Sequence, residues 1–324
     1  GHQGFQFREQ SLLAVMFAIV YAVIVMVAST LGIGNFIVYG VMAAAMIFIQ
    51  YLIGPALVGW TMKVRWVTEQ EEPDLHRMVE ELAQESHIPK PKVGISQLSI
   101  PNAFAYGRSQ GDARVVITEG IRGLLNKDEL RAVVGHEISH VKHRDMAVIT
   151  ILSVVPVILW YIAWGVMWSG GRDRRGGGYV ALLGVVALVL YFVTNLLVLY
   201  ASRIREYYAD LGSVGLGSQP QHLATALYKL VYGSARSSKE ELHRVEGIKA
   251  FFVNDPSRSL YELRELREID MNMSGTIDYD ELAAIRNKSV ELGFGDKVLE
   301  LMSTHPNMLK RIRHLSTLMY GPQG

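Results

Sequence analysis

Three stretches of the chain carry no charged side chain: Gln10 to Met62, Met146 to Gly171 and Gly176 to Ser202. A helix that crosses the hydrocarbon core of a bilayer needs about 20 apolar residues, so the first stretch has room for two crossings and the other two for one each. The turn-like Ser29-Thr-Leu-Gly-Ile-Gly-Asn35 divides the first stretch into predicted spans near 11–33 and 36–58, and the others predict spans near 147–168 and 179–200. A second apolar stretch follows the first at once, so the first span is expected to stay as an anchor and not to be cleaved as a signal.

Between and after these stretches the pattern changes. Residues 71–82 space their apolar positions as a helix does, with acids in the first turn. Short β-type runs follow at Lys92–Ser96, Asn102–Tyr106 and Ala113–Thr118, the last two separated by the turn-like Arg108-Ser-Gln-Gly-Asp112, and they predict a small sheet. Asn126 with Glu129 three residues on is a capping box, which opens a further helix. Residues 203–324 read as mostly helical and polar, with a loop at Gly233–Lys239. The expected domains are a transmembrane hairpin at 1–61, a catalytic region at 62–145, a second hairpin at 146–202 and a helical catalytic region at 203–324 that includes an insertion at 255–292.

Composition agrees with membrane placement: the 324 residues are 50% hydrophobic and only 19% charged. A net charge of +1 gives no reason to expect a nucleic-acid partner. The chain has no cysteine, which excludes disulfides and thiolate metal sites, so a transition metal must be held by His and carboxylates. Arg8 precedes the first span and Lys63 and Arg65 follow the second, which puts residues 62–145 in the cytoplasm by the positive-inside rule. The basic Arg172-Asp-Arg-Arg175, between spans three and four, runs against that rule: either this hairpin crosses against the bias or its two spans are shallow.

His136-Glu-Ile-Ser-His140 carries the candidate chemistry. Residues four apart on a helix share a face, so both imidazoles can chelate one ion while Glu137 stands beside them within reach of a water, the zinc-peptidase arrangement. The flanking Ala132, Val133, Val134, Ile138 and Val141 make this a buried helix, in which bare His and Glu need partners. Directly after span four, Arg203-Ile-Arg-Glu-Tyr-Tyr-Ala-Asp210 offers Glu206 as a third ligand and Asp210 as acceptor for the second nitrogen of a ligand imidazole. The plain alternative for Glu206 is a juxtamembrane charge paired with Arg203 or Arg205. Because a hairpin returns the chain to the side it left, the two halves of the site are expected to meet at the cytoplasmic membrane surface.

Residues 270–281 match a calcium-binding EF-hand loop position by position. Asp270, Asn272 and Ser274 stand at one, three and five, Gly275 at six, the Thr276 carbonyl at seven, Asp278 at nine and Glu281 at twelve. Helical segments at 260–268 and 282–287 flank it, and Ile277 at position eight is apolar, as a pairing strand requires. With no second hand in the chain, a vestigial acidic turn is the alternative.

Taken together, HEISH after two N-terminal spans, the REYYAD segment after a second hairpin, Pro101-Asn-Ala-Phe-Ala105 upstream, and Ser303-Thr-His-Pro306 with Arg311 near the C-terminus resemble the HtpX-type membrane metalloproteases, gluzincins related to the CAAX prenyl proteases. The resemblance covers nearly the whole chain. It implies a mainly α integral membrane protein with four transmembrane helices and a cytoplasmic α+β zincin-like catalytic domain holding a small sheet. It further implies one catalytic zinc on His136, His140 and Glu206, Glu137 as general base, and Asp210 behind a ligand. Asn102, Ala103, Phe104 and Ala105 become the edge strand that pairs with substrate backbone, and His305 and Arg311 the groups that stabilise the tetrahedral intermediate. The implied partners are membrane-protein or peptide substrates and the lipid bilayer, with a homo-oligomer left open. The implied task is quality control of damaged or misfolded membrane proteins in a prokaryotic inner membrane. A CAAX-type prenyl-protein protease and a non-catalytic metal-binding membrane sensor or scaffold are the rival readings.

Overall fold

The computed structural model describes residues 48, 49, 52, 55–60, 62–170, 177–245, 249, 252–286, 290 and 292–319. The span predicted at 11–33, most of that at 36–58 and the Arg172–Arg175 turn lie outside the described residues. The described residues fall into two compact units, one built from 147–201 with the described residues before 54, the other from 54–146 and 202–319.

In the second unit a four-stranded mixed sheet takes the order β1-β2-β4-β3, from β1 (Val64–Trp66), β2 (Lys92–Ser96), β3 (Ala103–Tyr106) and β4 (Arg114–Thr118). β1 was not expected, because three residues are too few to display an alternation. β2 and β4 run parallel with Val93 beside Val115 and Ile95 beside Ile117, and β3 lies antiparallel to β4 with Ala103 beside Ile117 and Ala105 beside Val115. Side chains alternate across a strand. One face of the sheet therefore gives these residues to the core beneath helices α1 (Pro73–Glu85) and α2 (Lys127–Lys142), while Phe104, Tyr106 and Val116 turn the other way onto Met62 and Phe252.

α2 begins where the capping box predicts: the Asn126 side chain accepts from the Glu129 amide at 2.9 Å and the Glu129 carboxylate accepts from the Asn126 amide at 3.2 Å. It is buried on nearly every side, between the sheet, α1 and α5 (Pro220–Ser234). The chain then turns through Arg144, at φ 55, into α3 (Asp145–Gly170) and later α4 (Gly177–Gly215). α4 has 39 residues, about 58 Å at 1.5 Å each, and its stretch Ala181–Gly215 is long and apolar enough to cross a membrane.

After α5 come α6 (Lys239–Arg244), α7 (Ser259–Arg267), α8 (Tyr279–Ile285), α9 (Phe294–Leu301) and α10 (Met308–Thr317). α7 and α8 are the helices expected around the 270–281 loop. α8 starts earlier than the apolar pattern indicated, because the Asp278 side chain accepts from the Glu281 amide and the Glu281 carboxylate accepts from the Asp278 amide.

Candidate metal centre

α2 and α4 bring His136, His140 and Glu206 to one point. His136 Nε2 lies 3.1 Å from Glu206 Oε2, His140 Nε2 lies 3.0 Å from Glu206 Oε1, and the two imidazole nitrogens are 3.2 Å apart. Zinc held tetrahedrally at roughly 2.0–2.1 Å sets its ligand atoms roughly 3.3 Å from one another, so the triangle has the size this ion requires. The outer nitrogens are already committed: His136 Nδ1 donates to Asp210 at 2.9 Å and His140 Nδ1 to Asp145 at 2.7 Å, which leaves both Nε2 lone pairs aimed inward. Burial pulls the two imidazoles down, but Glu206, backed by Asp210 or Asp145, outweighs it and holds both above the ordinary histidine value. So much buried negative charge calls for a cation, and the donor set fits zinc.

Close contact between α2 and α4 makes this geometry. A Cβ on Gly212 would lie 2.1 Å from the Ser139 hydroxyl, and Ser213 donates to the Ala132 carbonyl at 2.6 Å. Asp210 is fully buried, and Arg311 of α10 grips both its oxygens, through Nε at 2.9 Å and Nη2 at 2.8 Å. Asp145 and Arg205 were missed in the sequence. Asp145 bridges His140 and Arg205, the latter at 2.7 Å. Their signal was an acid placed where the motif helix ends and a base directly before the third ligand.

Glu137 is 1% exposed, and the Ala105 backbone amide faces its carboxylate. Burial outweighs the downward pull of the two imidazoles and pushes its pKa up to about 7.

The predicted substrate-strand and oxyanion residues form one connected wall with residues 252–254. Asn102 accepts from the Val253 amide at 2.9 Å and donates to Asn254 at 2.7 Å, and Phe104 forms an antiparallel bridge with Phe252. β3 is thus an edge strand of the sheet whose outer side meets the chain at 252–254. His305 Nε2 donates to the Phe252 carbonyl at 2.7 Å, its Nδ1 lies 3.0 Å from the Thr304 hydroxyl, and burial pulls the ring below the ordinary histidine value. Arg311 Nη1 donates to the Val253 carbonyl at 2.6 Å.

Residues 69–319 match the profile of peptidase family M48. The chain belongs to peptidase family M48. This M48 chain is therefore a metallopeptidase, and the family implies zinc. It is 51% identical to the protease HtpX homolog of Methanothermobacter thermautotrophicus over 67% of its own length and 81% of that relative's. It is 34% identical to the homolog of Moorella thermoacetica, covering 86% of this chain and 83% of that one, and 31% identical to that of Thermoplasma acidophilum, covering 95% and 94%. Among solved structures, the crystal structure of S. mikatae Ste24p superposes with a TM-score of 0.53 at 15% identity, over 96% of this chain and 65% of that one, a likeness of fold.

Proposed function

We propose that this M48 chain is a membrane-integrated zinc endopeptidase that cleaves membrane proteins at the cytoplasmic face of a prokaryotic inner membrane, in the removal of damaged or misfolded ones. The observation that carries the reading is the closed triangle of His136, His140 and Glu206 with the buried carboxylate of Glu137 3.9 Å from His136 Nε2. When bound, zinc supplies a Lewis acid that polarises the scissile carbonyl and acidifies water. Glu137 takes a proton from the attacking water and delivers it to the leaving amine. Asp210 and Asp145 fix the tautomers of the two ligand imidazoles, and Arg311 acts as a positioning residue through its grip on Asp210. His305 braces the Phe252 carbonyl, so contact with a tetrahedral oxyanion requires it to exchange that partner. Substrate pairing along Asn102–Ala105 likewise requires Phe252 to move off Phe104.

Glu137→Gln should retain zinc and lose nearly all cleavage of casein or a model membrane protein; undiminished activity sinks the reading. Turnover of prenylated peptides alone would favour the CAAX-type rival. Stoichiometric zinc without turnover on any substrate would favour the scaffold, although structural zinc sites close with four protein ligands and three converge here among the described residues. The four-crossing topology, and the domain boundaries drawn from it, rest on the uncharged stretches. They predict that cysteines introduced near Ser109 and Ser237 label from the same side of the membrane.

We also infer that residues 270–281 bind Ca²⁺. Asp270 and Glu281 are buried at 2% and 4% exposure, Gly275 takes φ +79 at the sharp turn, and Asp270 accepts from the Ser274 and Gly275 amides at 3.1 and 2.9 Å. An EF-hand usually pairs its eighth position with a second hand. Here Thr225 of α5 takes that place: its hydroxyl accepts from the Ile277 amide at 3.0 Å and donates to the Ile277 carbonyl at 2.8 Å. That substitution supports a single hand held in the binding-competent shape. Calorimetric titration of the whole chain should give Ca²⁺-dependent heat that Glu281→Gln abolishes; no heat at millimolar ion, or the same heat from the variant, rules the site out.

A further inference from the structure

α9 is amphipathic the wrong way round for a helix on a soluble domain. Its acids face inward: Asp296 accepts a hydrogen bond from the Tyr261 hydroxyl, and Glu300 accepts from Lys310 at 2.8 Å and from the Asn307 amide at 2.9 Å. Its apolar residues face out. Phe294, Val298, Leu301 and Met302, at i, i+4, i+7 and i+8, form one stripe and are exposed by 86%, 43%, 51% and 56%. A contiguous exposed apolar stripe marks a surface that something else covers.

The tether of α9 identifies what covers it. Arg203 Nη1 donates to the carbonyls of Glu300, Leu301 and Ser303 at 2.8, 3.1 and 2.9 Å, and the Ser202 hydroxyl donates to the Thr304 carbonyl at 3.1 Å. Arg203 is the first charged residue after the uncharged run of α4, the place where a spanning helix meets the headgroups. The C-terminal end of α9 is therefore pinned to the residues that directly follow the uncharged run. Lys297, on the exposed side next to the stripe, suits an anionic headgroup.

We propose that α9 is an interfacial helix that lays Phe294, Val298, Leu301 and Met302 into the lipid surface and so docks the catalytic unit on the bilayer, at a second contact apart from the spans. Docked in this way, the wall formed by Asn102, Phe252, His305 and Arg311 is held against the membrane, because Ser303 to Asn307 connects α9 directly to His305. The proposal rests on the membrane reading of α4, and its test separates the two.

The chain has no native cysteine, so single-cysteine variants can carry an environment-sensitive fluorophore without background. Phe294→Cys and Val298→Cys, both at exposed positions, are labelled and reconstituted into liposomes of phosphatidylcholine and phosphatidylglycerol whose acyl chains bear a nitroxide quencher. Val189→Cys on α4 is the control for the span. Lys127→Cys is the control for water, since it starts α2, roughly 24 Å from the end that leads into α3. The expected result is a blue-shifted, quenched signal at 294 and 298, strongest with the nitroxide near the headgroups, deep quenching at 189, and none at 127. Quenching at 189 without quenching at 294 or 298 overturns the proposal and leaves the span intact. Absence of quenching at 189 overturns both. A disulfide between two Phe294→Cys chains, or a blue shift without quenching, shows the stripe covered by a second copy or by another part of the chain and also overturns it.

Discussion

Asp210→Asn separates the two tasks of the most buried carboxylate near the metal. Asp210 Oδ1 receives His136 Nδ1 at 2.9 Å and Arg311 Nη2 at 2.8 Å, while Oδ2 receives Arg311 Nε at 2.9 Å. Asparagine has one acceptor oxygen. With its oxygen kept toward His136, its NH₂ faces the Arg311 Nε–H, donor against donor, and a guanidinium with no solvent exposure loses its main counter-charge. Removing one partner of a buried ion pair costs about 3–5 kcal/mol. Weakening the group behind a ligand histidine costs about 10–100-fold in metal affinity, about 1.4–2.8 kcal/mol. Thermal unfolding of the metal-free protein in detergent reads the first quantity, and zinc competition against a chromophoric chelator reads the second. In an Arg311→Met background no guanidinium is orphaned, so Asp210→Asn should there cost little stability while its loss of zinc affinity persists. Equal destabilisation in both backgrounds, or unchanged zinc affinity in either, would refute this division of labour.

Gly212→Ala should push α4 off α2, because the new Cβ meets the Ser139 hydroxyl at 2.1 Å and its Cβ at 2.6 Å; overpacking costs about 1–3 kcal/mol, zinc affinity should fall, and Ser139→Gly should restore both. Thr225→Val removes the hydroxyl that meets both Ile277 backbone groups, which leaves buried polar atoms unpaired at about 1–3 kcal/mol each. It should weaken Ca²⁺ binding by calorimetry although it touches no ligand, while Thr225→Ser keeps the affinity. Glu262 gives a pH signature. Burial, with Asp255 nearby, raises its pKa from 4.5 to about 8 against the pull of Arg258, so the folded state keeps a proton that the unfolded chain releases. Its contribution, on the order of a few kcal/mol, is complete below pH 4.5, declines as pH rises and is gone above about 8. Melting curves across that window should fall less steeply for Glu262→Gln than for wild type; parallel curves would show that Glu262 titrates normally.

The metal site was legible in the sequence because its parts obey helix geometry. His136 and His140 share a face by spacing alone, and Glu206 and Asp210 repeat the same interval on a second helix. What spacing does not carry is the pairing between helices. Asp145 lies beyond the end of α2, and it reaches His140 only because the chain reverses through Arg144. The covering of β3 by Phe252 depends on a contact between residues 148 positions apart, with no local signal. The 270–281 loop is a local pattern, since all its candidate oxygens lie within twelve residues. The contact of Thr225 with Ile277 is not local, because Thr225 sits alone on a helix that looks like ordinary core.

Helix α4 carries both an apolar stretch and two residues of the candidate centre. Glu206 lies four residues after Ser202, about 6 Å along the axis from the end of the uncharged run, and Asp210 follows one turn later. The third ligand and the acceptor behind His136 are thus placed by the same rigid rod that carries the apolar stretch. A ligand on a loop could drift; a candidate ligand on this helix is fixed along its axis, because the rise per residue cannot stretch without breaking backbone hydrogen bonds. Close packing of Gly212 and Ser213 on Ser139 and Ala132 then holds His136 and His140 against it.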